Sequence, residues 1–278
     1  GCSAYSATKT VQAVYAPAAP VLSAPASSAN GSYTVSWAAV NTATSYQLEE
    51  SINNGAWALV QDAAATSKAF SGKANGSYRY QAKACNIAGC SGYSAIVTVG
   101  VLLPPASAPS LSTPASNTTG SYTVTWTGVA TATSYNLDRN LNGGAWGNRY
   151  SGAGGSVNES GLGDGTYGYR VQACNTSGCS GWSATQSTQV IFPPAMPASL
   201  TGYTEPDPDL LGSRYFYINW SAVSGATYYE LQQSWNGTSI IYNGPQTFGT
   251  ISGKGTRTFH ARACNVAGCS AWKGPLTL

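Results

Sequence analysis

Tyr78-Arg79-Tyr80-Gln81-Ala82-Lys83-Ala84-Cys85-Asn86-Ile87-Ala88-Gly89-Cys90-Ser91 decides the fold. Tyr78, Tyr80, Ala82 and Ala84 alternate with Arg79, Gln81, Lys83 and Cys85, the period of a strand with one buried face. The end of the stretch returns as Cys174-Asn175-Thr176-Ser177-Gly178-Cys179-Ser180 and as Cys264-Asn265-Val266-Ala267-Gly268-Cys269-Ser270. Cys85 and Cys174 are 89 positions apart, and Cys174 and Cys264 are 90 apart. That period is too long for a solenoid repeat and suits a small domain with its own core.

Outward from this stretch, each copy repeats one plan. Tyr33, Val35 and Trp37 alternate with Ser32, Thr34 and Ser36. Tyr46 and Leu48 follow, then the turn signal Asn53-Asn54-Gly55 and a short strand with Trp57, Leu59 and Val60. The second copy has Trp126, Tyr135, Leu137, Trp146, Tyr167, Tyr169, Val171 and Ala173; the third has Trp220, Tyr229, Leu231, Phe259, Ala261 and Ala263. No segment has helical periodicity. Short strands with regular turn signals predict an all-β chain of antiparallel sandwiches. The expected units are residues 17–102, 103–192 and 193–278, with residues 1–16 the last strand of a preceding incomplete repeat plus a linker.

Composition narrows the function. Only 8% of the 278 residues are charged and the net charge is +3, without a basic run, which argues against nucleic acid and anionic membrane as partners. No apolar stretch is long enough to insert in a bilayer. No signal peptide is apparent, so the chain reads as a mature or excised segment. Three Cys-x4-Cys pairs lie far from one another and His260 is the single histidine, so a four-ligand zinc site is a poor reading. A disulfide within each pair (Cys85 with Cys90, Cys174 with Cys179, Cys264 with Cys269) is the better one, and it points to an oxidising compartment: secreted, periplasmic or on a cell surface, with an extracellular setting expected. Gly89, Gly178 or Gly268 can take the positive φ that such a hairpin needs. Closing so short a loop contributes ~2 kcal/mol.

The pattern resembles the fibronectin type III domain over nearly the whole chain. The resemblance rests on the Pro-rich entry, the Trp of the second strand, the following Tyr-x-Leu strand, and the Tyr-x-Tyr-x-Ala-x-Ala-Cys-Asn-x-x-Gly-x-Ser run. It implies three tandem immunoglobulin-like sandwiches in an elongated rod. It also implies a tyrosine corner at Tyr78 and Tyr167; the third copy has Arg257 there, which puts that corner in doubt. The Cys-Asn-x-x-Gly-Cys element is more similar to repeats of secreted bacterial proteins, including Rhs-type wall-associated proteins and modules of secreted hydrolases.

The segments after the second cysteine, at 90–94, 179–183 and 269–273, are similar to the Trp-Ser-x-Trp-Ser box of cytokine-receptor fibronectin domains. Cation–π stacking is expected of Tyr93, Trp182 and Trp272 on Arg79, Lys83, Arg170 and Arg262. Glu49, Asp138 and Glu230 on the facing strand are placed to extend this ladder.

The joints Ala16-Pro17-Ala18-Ala19-Pro20, Leu102-Leu103-Pro104-Pro105 and Phe192-Pro193-Pro194 are short and semi-rigid. The apolar residues beside the prolines are expected to pack between neighbouring units. Gly1-Cys2-Ser3-Ala4-Tyr5-Ser6 matches residues 89–94, which leaves Cys2 unpaired or intermolecular and residues 1–10 without a partner in the chain.

No chemistry-bearing constellation recurs. His260 alternates onto the exposed face beside Arg262. Glu205, Asp207 and Asp209 form an acidic cluster that could offer oxygens to calcium, or simply a solvated loop. Asn30, Asn117 and Asn236 head glycosylation sequons. Trp57, Trp146 and Trp235, at hairpin turns, form the one candidate ligand platform. The expected function is therefore non-enzymatic and cofactor-free: an extracellular structural spacer or adhesive stalk within a longer protein. Its partners would be other domains of that chain, neighbouring copies, a polysaccharide or a cell-surface protein. The alternatives are a filament subunit joined through the N-terminal strand and a carbohydrate-binding accessory region of a secreted hydrolase.

Overall fold

A computed structural model describes residues 1–278. Every regular element is a strand. In the first sandwich one sheet runs in the order Leu22–Ser23, Tyr33–Trp37, Ser67–Phe70. The other runs Ser27–Ser28, Val97–Val101, Gly76–Asn86, Ser45–Ile52, Trp57–Ala63. The second sandwich repeats both orders, with Leu111–Ser112, Tyr122–Trp126 and Ser156–Glu159 facing a sheet built around Ser134–Leu141 and Gly165–Asn175. In the third, the strand Leu200–Pro206 is seven residues long and pairs along its whole length with Arg214–Trp220. The corresponding strands of the other two have only two residues.

Each sandwich closes over its own core. In the first, Val35, Leu48, Tyr80, Ala82, Ala84 and Val99 are wholly buried. The second buries Val124, Leu137, Tyr169, Val171 and Ala173, and the third Phe216, Phe259, Ala261 and Ala263. Fully burying one such Val or Leu contributes roughly 1.5–3 kcal/mol. Trp37, Trp126 and Trp220 pack edge-on or tilted against Tyr46, Tyr135 and Tyr229 at 5.6, 6.0 and 6.1 Å. Each of those tyrosine hydroxyls accepts a backbone N–H, from Val40, Val129 and Val223, so the polar tip does not oppose its burial.

The tyrosine corners are present where the sequence has tyrosine. The Tyr78 hydroxyl donates to the Ala74 carbonyl at 3.0 Å, and Tyr167 to Gly163 at 3.2 Å. Arg257 takes the place in the third sandwich. Its side chain is buried, lies over Phe216 and Trp235, and donates to Gln233 at 2.7 Å. Its backbone exchanges both hydrogen bonds with Leu278. A cation held by rings and an amide thus stands in for the corner.

The cores differ at one further level. In the first, the hydroxyls of Tyr33 and Tyr80 meet at 2.6 Å, Tyr80 donates to Glu50 at 2.5 Å, and Lys73 holds the same carboxylate at 2.6 Å. In the second, Tyr122 and Tyr169 meet at 2.7 Å, while Glu159 takes Arg139 and Arg149. In the third the pair is Phe216 and Phe259. Burial pushes the Tyr33 hydroxyl up to about 12 and raises Tyr80 and Tyr169 in the same direction. A raised folded-state pKa means that the neutral hydroxyls stabilise fully below the unfolded value, and that this contribution fades as pH rises from about 10 toward 12. The first two sandwiches are therefore expected to melt at falling temperatures across that window. The third, with Phe216 and Phe259, lacks a buried hydroxyl pair; its one raised tyrosine, Tyr217, lies at the surface, where solvent screens the effect. Calorimetry at stepped alkaline pH distinguishes them.

Candidate functional site

The geometry common to the units lies in two places, the Cys hairpins with the linkers they touch and the outer face of the larger sheet. Cys85–Cys90, Cys174–Cys179 and Cys264–Cys269 are disulfides, and each pair is also a backbone pair of its hairpin. Gly89, Gly178 and Gly268 have φ of 130°, 140° and 131°, which a side chain would oppose. A Cβ on Gly178 would also lie 3.2 Å from Pro104 of the linker.

The asparagine after the first cysteine has two jobs. Its Oδ1 accepts the N–H two residues on, at 2.8 Å in all three copies (Ala88, Ser177, Ala267). That Asx turn aims the amide nitrogen away from the hairpin. Asn86 Nδ2 donates to the Tyr15 carbonyl, Asn175 Nδ2 to Leu103 and Asn265 Nδ2 to Phe192, each at 2.8 Å. All three acceptors lie in the linker that enters the unit. The N–H groups of Leu103 and Phe192 are held in turn by the preceding unit, through Asn75 Oδ1 at 2.6 Å and Asp164 Oδ1 at 2.8 Å. The side chains of Leu103 and Phe192 pack against the preceding core. One linker residue is thus gripped from both sides: ring or branch and N–H by the unit behind, C=O by the unit ahead. Pro17, Pro105 and Pro194, two residues past each acceptor, are buried and fix the backbone that follows.

This corrects the expectation that the apolar linker residues sit between neighbours. Val101 belongs to the first core, Leu102 is exposed, and Leu103 and Phe192 pack backward. Shallow clefts of about 220 and 380 Å³ open beside the two gripped residues.

On the outer sheet face, Arg170 lies between Trp182 and Trp146 at 4.4 and 4.5 Å and bonds Asp138 at 2.9 Å. Arg262 lies 4.3 Å from Trp272 and bonds Glu230 at 2.6 Å. In the first unit Lys83 sits 4.0 Å over Tyr93, whose hydroxyl donates to Glu49. Arg79 lies on Trp57 at 5.5 Å instead of on Tyr93. Arg257 covers Trp235 at 4.5 Å. Trp57, Trp146 and Trp235 therefore each have a ring face occupied by a guanidinium, and they do not form a bare platform.

The remaining candidates do not converge. His260 is half-buried, a departure from the exposed position expected from alternation. The strand Lys273–Thr277 lays Gly274 over its ring, and its Nδ1 is sealed without a partner. Asp207 is buried and accepts the Asp209 N–H at 3.0 Å, an Asx turn that shapes the loop, while Glu205 lies on the neighbouring sheet opposite Tyr215. The one cluster of potential metal-ligating groups is Glu230, Cys264 and Cys269, whose two sulfurs are bonded to each other. Residues 1–21 form no strand, and Cys2 is free and exposed. No helix is long and apolar enough to cross a membrane.

The fold is three tandem β-sandwiches, each with a three-stranded sheet facing a larger one. No family model and no curated protein matches the sequence. Among solved structures, the chain is similar to the chicken CNTN1 FN1-FN3 domains, at 14% identity over 95% of this chain and 98% of that one, with a TM-score of 0.38. The disulfides and the sandwich fold together fit an extracellular or surface module.

Proposed function

We propose that the chain is a semi-rigid spacer or stalk in a secreted or surface protein, built of stapled fibronectin type III units, of the kind its Cys-Asn-x-x-Gly-Cys element resembles in Rhs-type bacterial proteins. Its work is mechanical and non-enzymatic: it holds other domains, or neighbouring copies, at a set distance. The observation that carries this reading is the two-sided grip on Leu103 and Phe192. A linker bonded to both neighbours has fewer orientations than its length alone would allow.

Asn175→Ala tests it. The substitution removes the bonds from Nδ2 to the Leu103 and Thr131 carbonyls and dissolves the Asx turn. Of these, the bond to Leu103 is the one that crosses the joint, and at about 1 kcal/mol its loss raises the released population roughly 5-fold. Spin labels on the first and second sandwiches are expected to give a narrow distance distribution in the parent chain and a broad one in Asn175→Ala. Thermal stability of the sandwiches should change little. A distribution already broad in the parent chain sinks the proposal.

A further inference from the structure

One sheet face sets the third unit apart. Its three strands pair in full register, which places Tyr203 opposite Tyr217, Glu205 opposite Tyr215, and Phe248 opposite Asn219. The alternate residues Phe216, Ile218 and Trp220 are buried, so the six named residues share the outward face. Tyr203 and Tyr217 stack at 4.9 Å with rings 18° apart, and Tyr215 continues the row at 6.4 Å. Tyr203 is 52% exposed and Phe248 50%. One face of Tyr203 is taken by Tyr217; the other is open at the edge of the sheet, because Leu200–Pro206 is the last strand. Desolvation and the neighbouring Glu205 carboxylate raise the Tyr217 pKa.

The same face is bland in the other units. It carries Thr34, Ser36, Ser67 and Ala69 in the first, and Thr123, Thr125, Ser156 and Asn158 in the second. A spacer does not call for three tyrosines and a phenylalanine on one outward face, nor for a first strand lengthened to seven residues so that it carries Tyr203 and Glu205 beside them.

We infer that this face of the third sandwich binds a neutral polysaccharide, with sugar rings laid along the Tyr203–Tyr217–Tyr215 row. Size and charge select the ligand. Three strands and three alternate positions cover about 10 by 14 Å, roughly 140 Å², far below the ~800 Å² each partner gives to a stable protein interface. Glu205 is the single charge among the six residues, so nothing there attracts an anionic polymer. A sugar ring has an apolar C–H face that gains dispersion energy on an aromatic surface. Its hydroxyls meet the Tyr hydroxyls, the Asn219 amide and the Glu205 carboxylate, which supply both donors and acceptors. This inference goes beyond the spacer reading and does not depend on it.

Titration calorimetry of the full chain with xyloglucan, galactomannan and hydroxyethyl cellulose tests it. At least one is expected to bind. Tyr203→Ala and Tyr217→Ala should each weaken binding at least tenfold, whereas Trp146→Ala should leave it unchanged. If Tyr217→Ala also lowers the melting temperature, the more exposed Tyr203→Ala decides alone. Absence of binding to all three polymers overturns the inference, as does binding that survives both tyrosine substitutions. Self-association abolished by Tyr203→Ala would assign the face to a second copy of the chain and likewise overturn it.

Discussion

Tyr169→Ala is expected to unfold the second sandwich while the first and third stay folded. Tyr169 is wholly buried at the centre of its core and its hydroxyl meets Tyr122 at 2.7 Å. Truncation removes a full aromatic ring and strands the Tyr122 hydroxyl, at a cost of about 3–5 kcal/mol. A unit of this size has about 5–10 kcal/mol in total, so half or more is lost. Calorimetry should show one transition moving far down in temperature; coincident melting of all three units would contradict the independence of the cores. The conservative series sharpens the point. Tyr169→Phe alone leaves Tyr122 without its partner, whereas Tyr122→Phe with Tyr169→Phe removes both ends of the bond. The double variant is expected to be no less stable than the single one, because a half-buried hydroxyl that has lost its partner costs more than an absent one. The third sandwich already has that arrangement in Phe216 and Phe259.

Glu159→Ala is expected to cost the second sandwich about 3 kcal/mol, the lower part of the range for breaking a buried ion pair. The Glu159 side chain is 1% exposed and takes two guanidinium groups, Arg139 at 2.9 Å and Arg149 at 3.0 Å. Both arginines are about one-third exposed, so they regain some hydration once the carboxylate is gone, which keeps the loss from the top of the range. Urea unfolding of the variant reads the effect directly. A loss under about 1 kcal/mol would place this cluster with ordinary surface pairs. Adding Arg149→Met should recover part of the loss, since one of the two uncompensated charges is then gone.

The fold was legible because one signal was repeated. Alternation in Tyr33–Trp37 and Gly76–Asn86, the turn glycines, and recurrence of the whole plan leave little room for another class. Features that depend on distant partners were harder to read. Asn175 is conspicuous in sequence, next to a cysteine in a recurring element, yet its amide is aimed at a carbonyl 72 residues earlier. Only its recurrence as Asn86 and Asn265 hinted at a shared task. The tyrosine row needs the register of Leu200–Pro206 against Arg214–Trp220, which periodicity within one strand does not contain. Trp57, Trp146 and Trp235 drew notice as aromatic residues at turns, but what occupies each ring is an arginine from another strand. His260 faces the side that alternation assigns; its cover comes from Gly274, which no pattern within its own strand encodes.

The grip on the linkers also bears on how such a chain changes length. Each unit carries its own hook, in Asn86, Asn175 or Asn265, and the first two leave behind a socket, in Asn75 or Asp164, for the unit that follows. A unit of the first two kinds, duplicated together with its entering linker, brings a matched set, and the joints on either side remain whole. Reach can therefore be varied in whole steps by copying about 90 residues of coding sequence, without redesign of a single contact.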